Sequence, residues 1–173
     1  MIRTNSSFAD QGVGKTFTAG FTNDFTFPLG QAFYTPVVID FSSGGNTSGS
    51  TEGTLFVNPA NEVHPTVNDG VDALGTGDVN NVLQYYWTLN AVNLNGFTAD
   101  VTFNYNDALV RTDEAGFTEA DYIAARVFFF YNPTNLINKL ATTDVDEVAN
   151  EINFNFAGAG SNGISGDYFA GID

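Results

Sequence analysis

Residues Leu83–Asp107 read LQYYWTLNAVNLNGFTADVTFNYND. Leu83, Tyr85, Trp87, Leu89 and Ala91 alternate with Gln84, Tyr86, Thr88 and Asn90. Past Asn93-Leu94-Asn95-Gly96, a second run sets Phe97, Ala99, Val101, Phe103 and Tyr105 against Thr98, Asp100, Thr102 and Asn104. An apolar period of two belongs to strands, whose successive side chains leave on opposite faces. With an Asn-Gly pair between the runs, the pattern predicts a half-buried antiparallel hairpin. Its inner face carries Trp87, the one tryptophan of the chain.

Outward from this stretch the alternation recurs. A first strand is predicted over 2–8 and a second over 16–21, after a turn at Gly12-Val13-Gly14. Phe25-Thr26-Phe27 stops at Pro28, as an edge strand does. Residues 37–42 alternate again. Ser42–Glu52, SSGGNTSGSTE, is a low-complexity loop, and 53–58 is a short strand ending before Pro59. Pro59–Asn81 has no periodicity and reads as a long connection. In Tyr122–Tyr131, YIAARVFFFY, both faces are apolar, so both are expected to be covered; Phe128 and Phe130 are the candidate contacts to a loop, a neighbouring domain or another copy. Residues 141–150 offer one or two helical turns, with Thr143 as cap and Asp144, Asp146 and Glu147 at the N-terminal end. Ile152, Phe154 and Phe156 begin another strand, and 164–170 is the last. About ten short strands with little helix predict an all-β fold, an antiparallel β-sandwich of immunoglobulin-like or jelly-roll-like type, spanning residues 1–173 as a single domain.

Composition agrees. The 173 residues suffice for one buried core, and 17 Phe and 7 Tyr suit a pleated, half-buried surface. Five Lys and Arg stand against 20 Asp and Glu, a net charge of −15. That balance argues against nucleic acid, whose phosphates need basic partners, and against anionic membrane surfaces. No apolar run is long enough to span a bilayer. With no cysteine, disulfides and thiolate metal sites are excluded. The N-terminus lacks the apolar core of a signal peptide; if the native protein is exported, the chain is expected to be a mature fragment or an excised domain of it.

Chemistry-bearing motifs are few. Ala9–Thr16, ADQGVGKT, fits a relaxed phosphate-binding loop with Ala for the first Gly, but such a loop needs a following helix, and here a strand pattern follows Lys15. His64, the sole histidine, has no accompanying nucleophile motif, and its expected role is to anchor the long connection. Asp40, Asp100 and Glu151 fall on polar strand faces and are weighed as a glycosidase-type pair against ordinary surface acids. Three acidic loops are candidate calcium sites: Asp113, Glu114, Glu119 and Asp121; Asp69, Asp72 and Asp78; Asp144, Asp146 and Glu147. None has EF-hand spacing. Asn5-Ser6-Ser7 and Asn46-Thr47-Ser48 are glycosylation sequons, meaningful in a eukaryotic secretory setting. No catalytic, cofactor or assigned metal residue emerges.

A series of short motifs follows in order: Arg3-Thr4-Asn5, Gly14-Lys15-Thr16-Phe17, Phe25-Thr26-Phe27-Pro28-Leu29-Gly30, Tyr34-Thr35-Pro36-Val37, Glu62-Val63-His64-Pro65, Tyr86-Trp87-Thr88, Gly96-Phe97, Asp121-Tyr122-Ile123 and Gly166–Gly171. The series, covering nearly the whole chain, resembles the β-sandwich modules of very large secreted surface proteins of Bacteroidota-type bacteria, adhesin-like chains exported by the type IX pathway, gliding-motility adhesins among them. The resemblance implies a non-catalytic extracellular module of a cell-surface or filament-forming protein. Its partners would be neighbouring domains or other copies, through strand edges or aromatic contacts, and possible surface glycans. It also implies that His64-Pro65 is structural. The competing expectation is a carbohydrate-binding module, calcium-dependent or not, which needs an aromatic platform with nearby Asn and Asp. A secreted hydrolase is a third.

Overall fold

The computed structural model describes residues 1–4, 11–43, 45, 52–68, 79–113, 115–127, 137–139 and 144–172. In chain order its strands are β1 (Ile2–Arg3), β2 (Val13–Thr18), β3 (Phe25–Phe27), β4 (Leu29–Gly30), β5 (Val37–Ser43) and β6 (Glu52–Ala60). A one-turn helix α1 (Pro65–Asn68) precedes β7 (Tyr86–Val92), β8 (Asn95–Asn104), β9 (Ile123–Val127), β10 (Ile137–Lys139), β11 (Val145–Asp146) and β12 (Glu151–Gly160). Another single turn, α2 (Ser161–Ile164), leads into β13 (Gly166–Gly171). The strands form a six-stranded sheet, β10-β9-β13-β7-β6-β2, and a five-stranded sheet, β11-β12-β8-β5-β3, both antiparallel throughout. β1 and β4 form a separate parallel pair.

One apolar core lies between the sheets, and the expected all-β sandwich is what the chain forms. Leu55, Trp87, Leu89 and Tyr168 from one sheet meet Ile39, Val101, Phe103 and Phe154 from the other. Trp87 is fully buried; its ring centroid lies 5.0 Å from that of Tyr85 and 5.2 Å from that of Phe103 across the sandwich. Its indole N–H donates to the Thr35 carbonyl at 3.4 Å. Aromatic pairs at such offsets add to area burial.

The opening stretch does not form a hairpin. Its two runs lie in different sheets, β7 between β13 and β6, β8 between β12 and β5. Both runs point their apolar residues at the same core from opposite sides. Asn93, with φ of 57°, turns the chain, and the fully buried Leu94 fills the space where it steps across. Alternation fixes which side chains face inward; it leaves open whose backbone each strand bonds.

A second apolar cluster covers the outer side of the six-stranded sheet. Tyr86, Phe169, Ala125 and Val127 pack there against Val63, Val67, Val79 and Val82 from the connection before β7. The expectation of a half-buried strand holds from Thr88 to Val92 of β7 and fails at Tyr86, which this layer buries. Every residue of β9 is buried, as its two apolar faces require. Phe128 and Phe130 lie outside the described residues.

Other boundaries shift for local reasons. β2 begins at Val13, directly after Gly12 (φ 76°), where a Cβ would lie 2.2 Å from the Val57 carbonyl oxygen. β6 continues through Pro59, because β2 pairs only as far as Val57 and the missing N–H sits on a local edge. Of the predicted helical turns at 141–150, the described residues (144–150) keep only Asp144 in a 3-10 turn; the rest is strand and turn. Val145 enters the core as part of β11, and the Asp146 carboxylate accepts the Val148 and Ala149 amides, closing a turn into β12.

Candidate functional site

Three polar constellations stand out. The first lies within the second apolar cluster. Antiparallel pairing sets Asp167 of β13 beside Thr88 of β7, both on the outer side of the six-stranded sheet. His64 descends on them from the turn before α1, whose Val67 amide donates to the His64 carbonyl. The imidazole stacks on Phe169 with an interplanar angle of 7° and meets Tyr86 edge-on. Its Nε2 is 3.2 Å from Asp167 Oδ2, while Thr88 Oγ1 donates to Asp167 Oδ1 at 2.5 Å. His64 is 4% exposed and Asp167 7%. Burial, with the charges of Asp167 and Glu62 adding, pushes the Tyr86 phenol up to about 12. Hydroxyl and imidazole both bond the carboxylate, so the imidazole is not placed to take the Thr88 proton. The arrangement clasps the connection onto the sheet; Asp167, the residue that completes it, carries no sequence signal beyond its strand register.

The second constellation is on the outer face of the five-stranded sheet. Asp40 and Asp100 are direct cross-strand neighbours on β5 and β8. A hydrogen bond shared with Asp24 raises the Asp40 carboxyl above its ordinary range, and the charges of Asp24 and Asp100 raise it further. Asn155 Nδ2 donates to Asp100 at 2.6 Å. Glu151 does not join them: its β8 neighbour is Asn104. Around the acids the face is neutral and polar, with Thr102 donating to Asn153 at 2.8 Å.

The third is a cleft of roughly 360 Å³ where β2, the edge of one sheet, turns across to β3, the edge of the other. Residues 15–25 line it. Lys15, from the would-be phosphate loop, sits within a strand, which removes the helix that such a loop needs. Its ammonium lies 5.0 Å from the Phe25 ring centroid and 5.9 Å from that of Phe17. Phe17 and Phe21 are buried beneath, in contact with Phe41.

No family model, curated protein or solved structure matches this chain.

Three of the loop acids, Glu119, Asp121 and Asp146, serve local structure. Glu119 accepts the Tyr105 hydroxyl at 2.6 Å, and Asp121 caps the turn at Thr118 through that residue's amide and hydroxyl. Asp146 closes the turn before β12. Among the described residues no group of three His, Asp or Glu side chains is arranged to hold a metal ion. Asp69, Asp72, Asp78 and Glu114 lie outside the described residues, as do Asn5 and Asn46 of the sequons.

Proposed function

We propose that the chain is a non-catalytic structural or adhesive module of an extracellular bacterial surface or filament-forming protein. The observation that carries this reading is the double packing of the six-stranded sheet. β13 and β7 are its central strands, with the sandwich core on one side and the His64-clasped layer on the other. Pulling along β13 loads two antiparallel ladders at once, to β7 and to β9. Such a module holds its shape between neighbours and presents its other face, the Thr, Asn and Asp surface of the five-stranded sheet, to a contact. The ordered series of short motifs resembling secreted surface modules supports the same reading. Negative-stain microscopy and light scattering of the purified chain test the assembly role. Filaments or rings are the expected result; monomers at every concentration and ionic strength would leave only the role of a spacer.

A second reading, a carbohydrate-binding module, is favoured by one observation: Phe25, Asn23 and Asp24 line the same cleft. A glycan array run with and without a calcium chelator separates it from the first, since a purely structural module retains no sugar in either condition.

A further inference from the structure

We propose that the cleft between β2 and β3 binds a carboxylated sugar, a hexuronic acid residue, with Lys15 as the partner of its carboxylate. Val13, Lys15 and Phe17 lie beside Val57, Leu55 and Gly53 of β6, so Lys15 shares the inward-facing side of the strand with two core-packed residues. Its ammonium therefore enters the open flank of the sandwich. An inward lysine on an edge strand also guards against edge-to-edge pairing, and that role alone needs nothing beyond the charge. Here the charge is set at a cleft, at the small end of the range for ligand sites of about 300–1,000 Å³.

Compensation for that charge is thin. Twenty Asp and Glu are available in the chain, yet among the described residues Lys15 forms no ion pair. The rings of Phe17 and Phe25 offer cation–π attraction to the half-buried lysine, and an anion is a complement that the described side chains do not supply. Asp24 in the same lining narrows the class, because it repels a compact multivalent anion such as phosphate. A ligand suits both when its carboxylate reaches Lys15 and its hydroxyls reach Asn23, Thr22 and the side of Asp24 turned away from its bond to Asp40. Phe25, half-buried with the ammonium over its ring, adds apolar surface for the C–H side of a pyranose. Carboxylate, hydroxyls and apolar surface together describe a sugar acid. This rests on the carbohydrate-binding reading of the same cleft and names its ligand class; binding of neutral sugars alone would overturn the uronate and leave that reading standing.

The test is a titration of the isotope-labelled chain followed by amide chemical shifts, with oligogalacturonate and oligoglucuronate, the matched neutral oligosaccharides, and acetate. Saturable shifts confined to residues 15–25 are expected with a uronate, with the neutral oligosaccharides at least tenfold weaker and acetate not saturating. K15Q should weaken uronate binding at least tenfold, whereas K15R, which keeps the charge, should stay within a few-fold of the parent. Circular dichroism in the aromatic region, dominated by the Trp87 cluster, checks that each variant is folded. F25A is the second probe: it leaves the ammonium and should also weaken binding. Absence of saturable shifts with both uronates would overturn the proposal, as would equal affinity for neutral and acidic sugars, saturation by acetate, or undiminished binding in folded K15Q.

Discussion

Trp87 shows what one residue states about itself. Its place in an alternating run assigns it to the core, and it is buried with its indole N–H satisfied. Replacing it with Ala removes a large ring between the sheets and should cost about 3–5 kcal/mol in denaturant unfolding; a loss of a few tenths would mean that the site is solvated. Asp40 makes the opposite case. Its folded pKa is raised, so between its ordinary value and the raised one the native state holds more of the proton than the unfolded chain does. Stability from this group is then complete below its ordinary value near 3.8 and is lost as pH rises through the shifted one. Asp40→Asn should raise the melting temperature at neutral pH, and the gain over the parent should vanish as the solution is acidified below the carboxylate range. A gain that persists in acid would remove like-charge repulsion as its cause. Burial of Trp87 was legible because it follows from strand parity alone. The Asp24–Asp40–Asp100 grouping was not, since Asp24 reaches β5 by way of the turn into β3.

Between elements, the sequence specifies strands better than partners. The two runs in 83–107 are strands with the inner faces their alternation predicts, yet they lie in opposing sheets. An Asn-Gly pair marks a reversal; the buried Leu94 decides that this one crosses the sandwich, and a single apolar residue in a turn carries too little pattern to say so. The clasp was half legible: His64 read as an anchor, whereas Asp167 and Thr88 become its partners only once β13 lies beside β7. His64→Ala deletes the stack on Phe169 and one of the two groups bonded to a buried carboxylate, a loss of about 3 kcal/mol. Amide exchange at Val67 should accelerate more than at Val101, which sits in the other sheet. His64→Phe keeps the ring and drops the bond, so it should recover part of the loss. Equal acceleration at both amides would show that the histidine holds the whole fold rather than this layer.

For the molecule as a whole, five tyrosines are packed into the structure and make its stability depend on alkaline pH. Burial is the first cause in each. It pushes Tyr85 and Tyr86 up to about 12, and drives Tyr105, Tyr122 and Tyr168 higher still. The charge of Glu119 adds at Tyr105, which donates to that carboxylate. These phenols ionise near 10.0 when unfolded, so above that pH the unfolded chain releases protons that the native state keeps. The phenols' contribution to stability is level below this point and falls as pH rises through it. Each phenol in that condition removes about 1.4 kcal/mol per pH unit. Several together exhaust a typical domain stability of about 5–15 kcal/mol within a few pH units. Phenolate absorbance should therefore rise in a cooperative step that coincides with loss of the aromatic circular dichroism. Tyr86→Phe, which removes one of the linked protons, should make the stability–pH profile shallower above pH 10. A gradual rise in phenolate absorbance with the aromatic signal intact would mean that the phenols reach solvent without unfolding, and that the double packing proposed to make this module rigid is looser than its two cores imply.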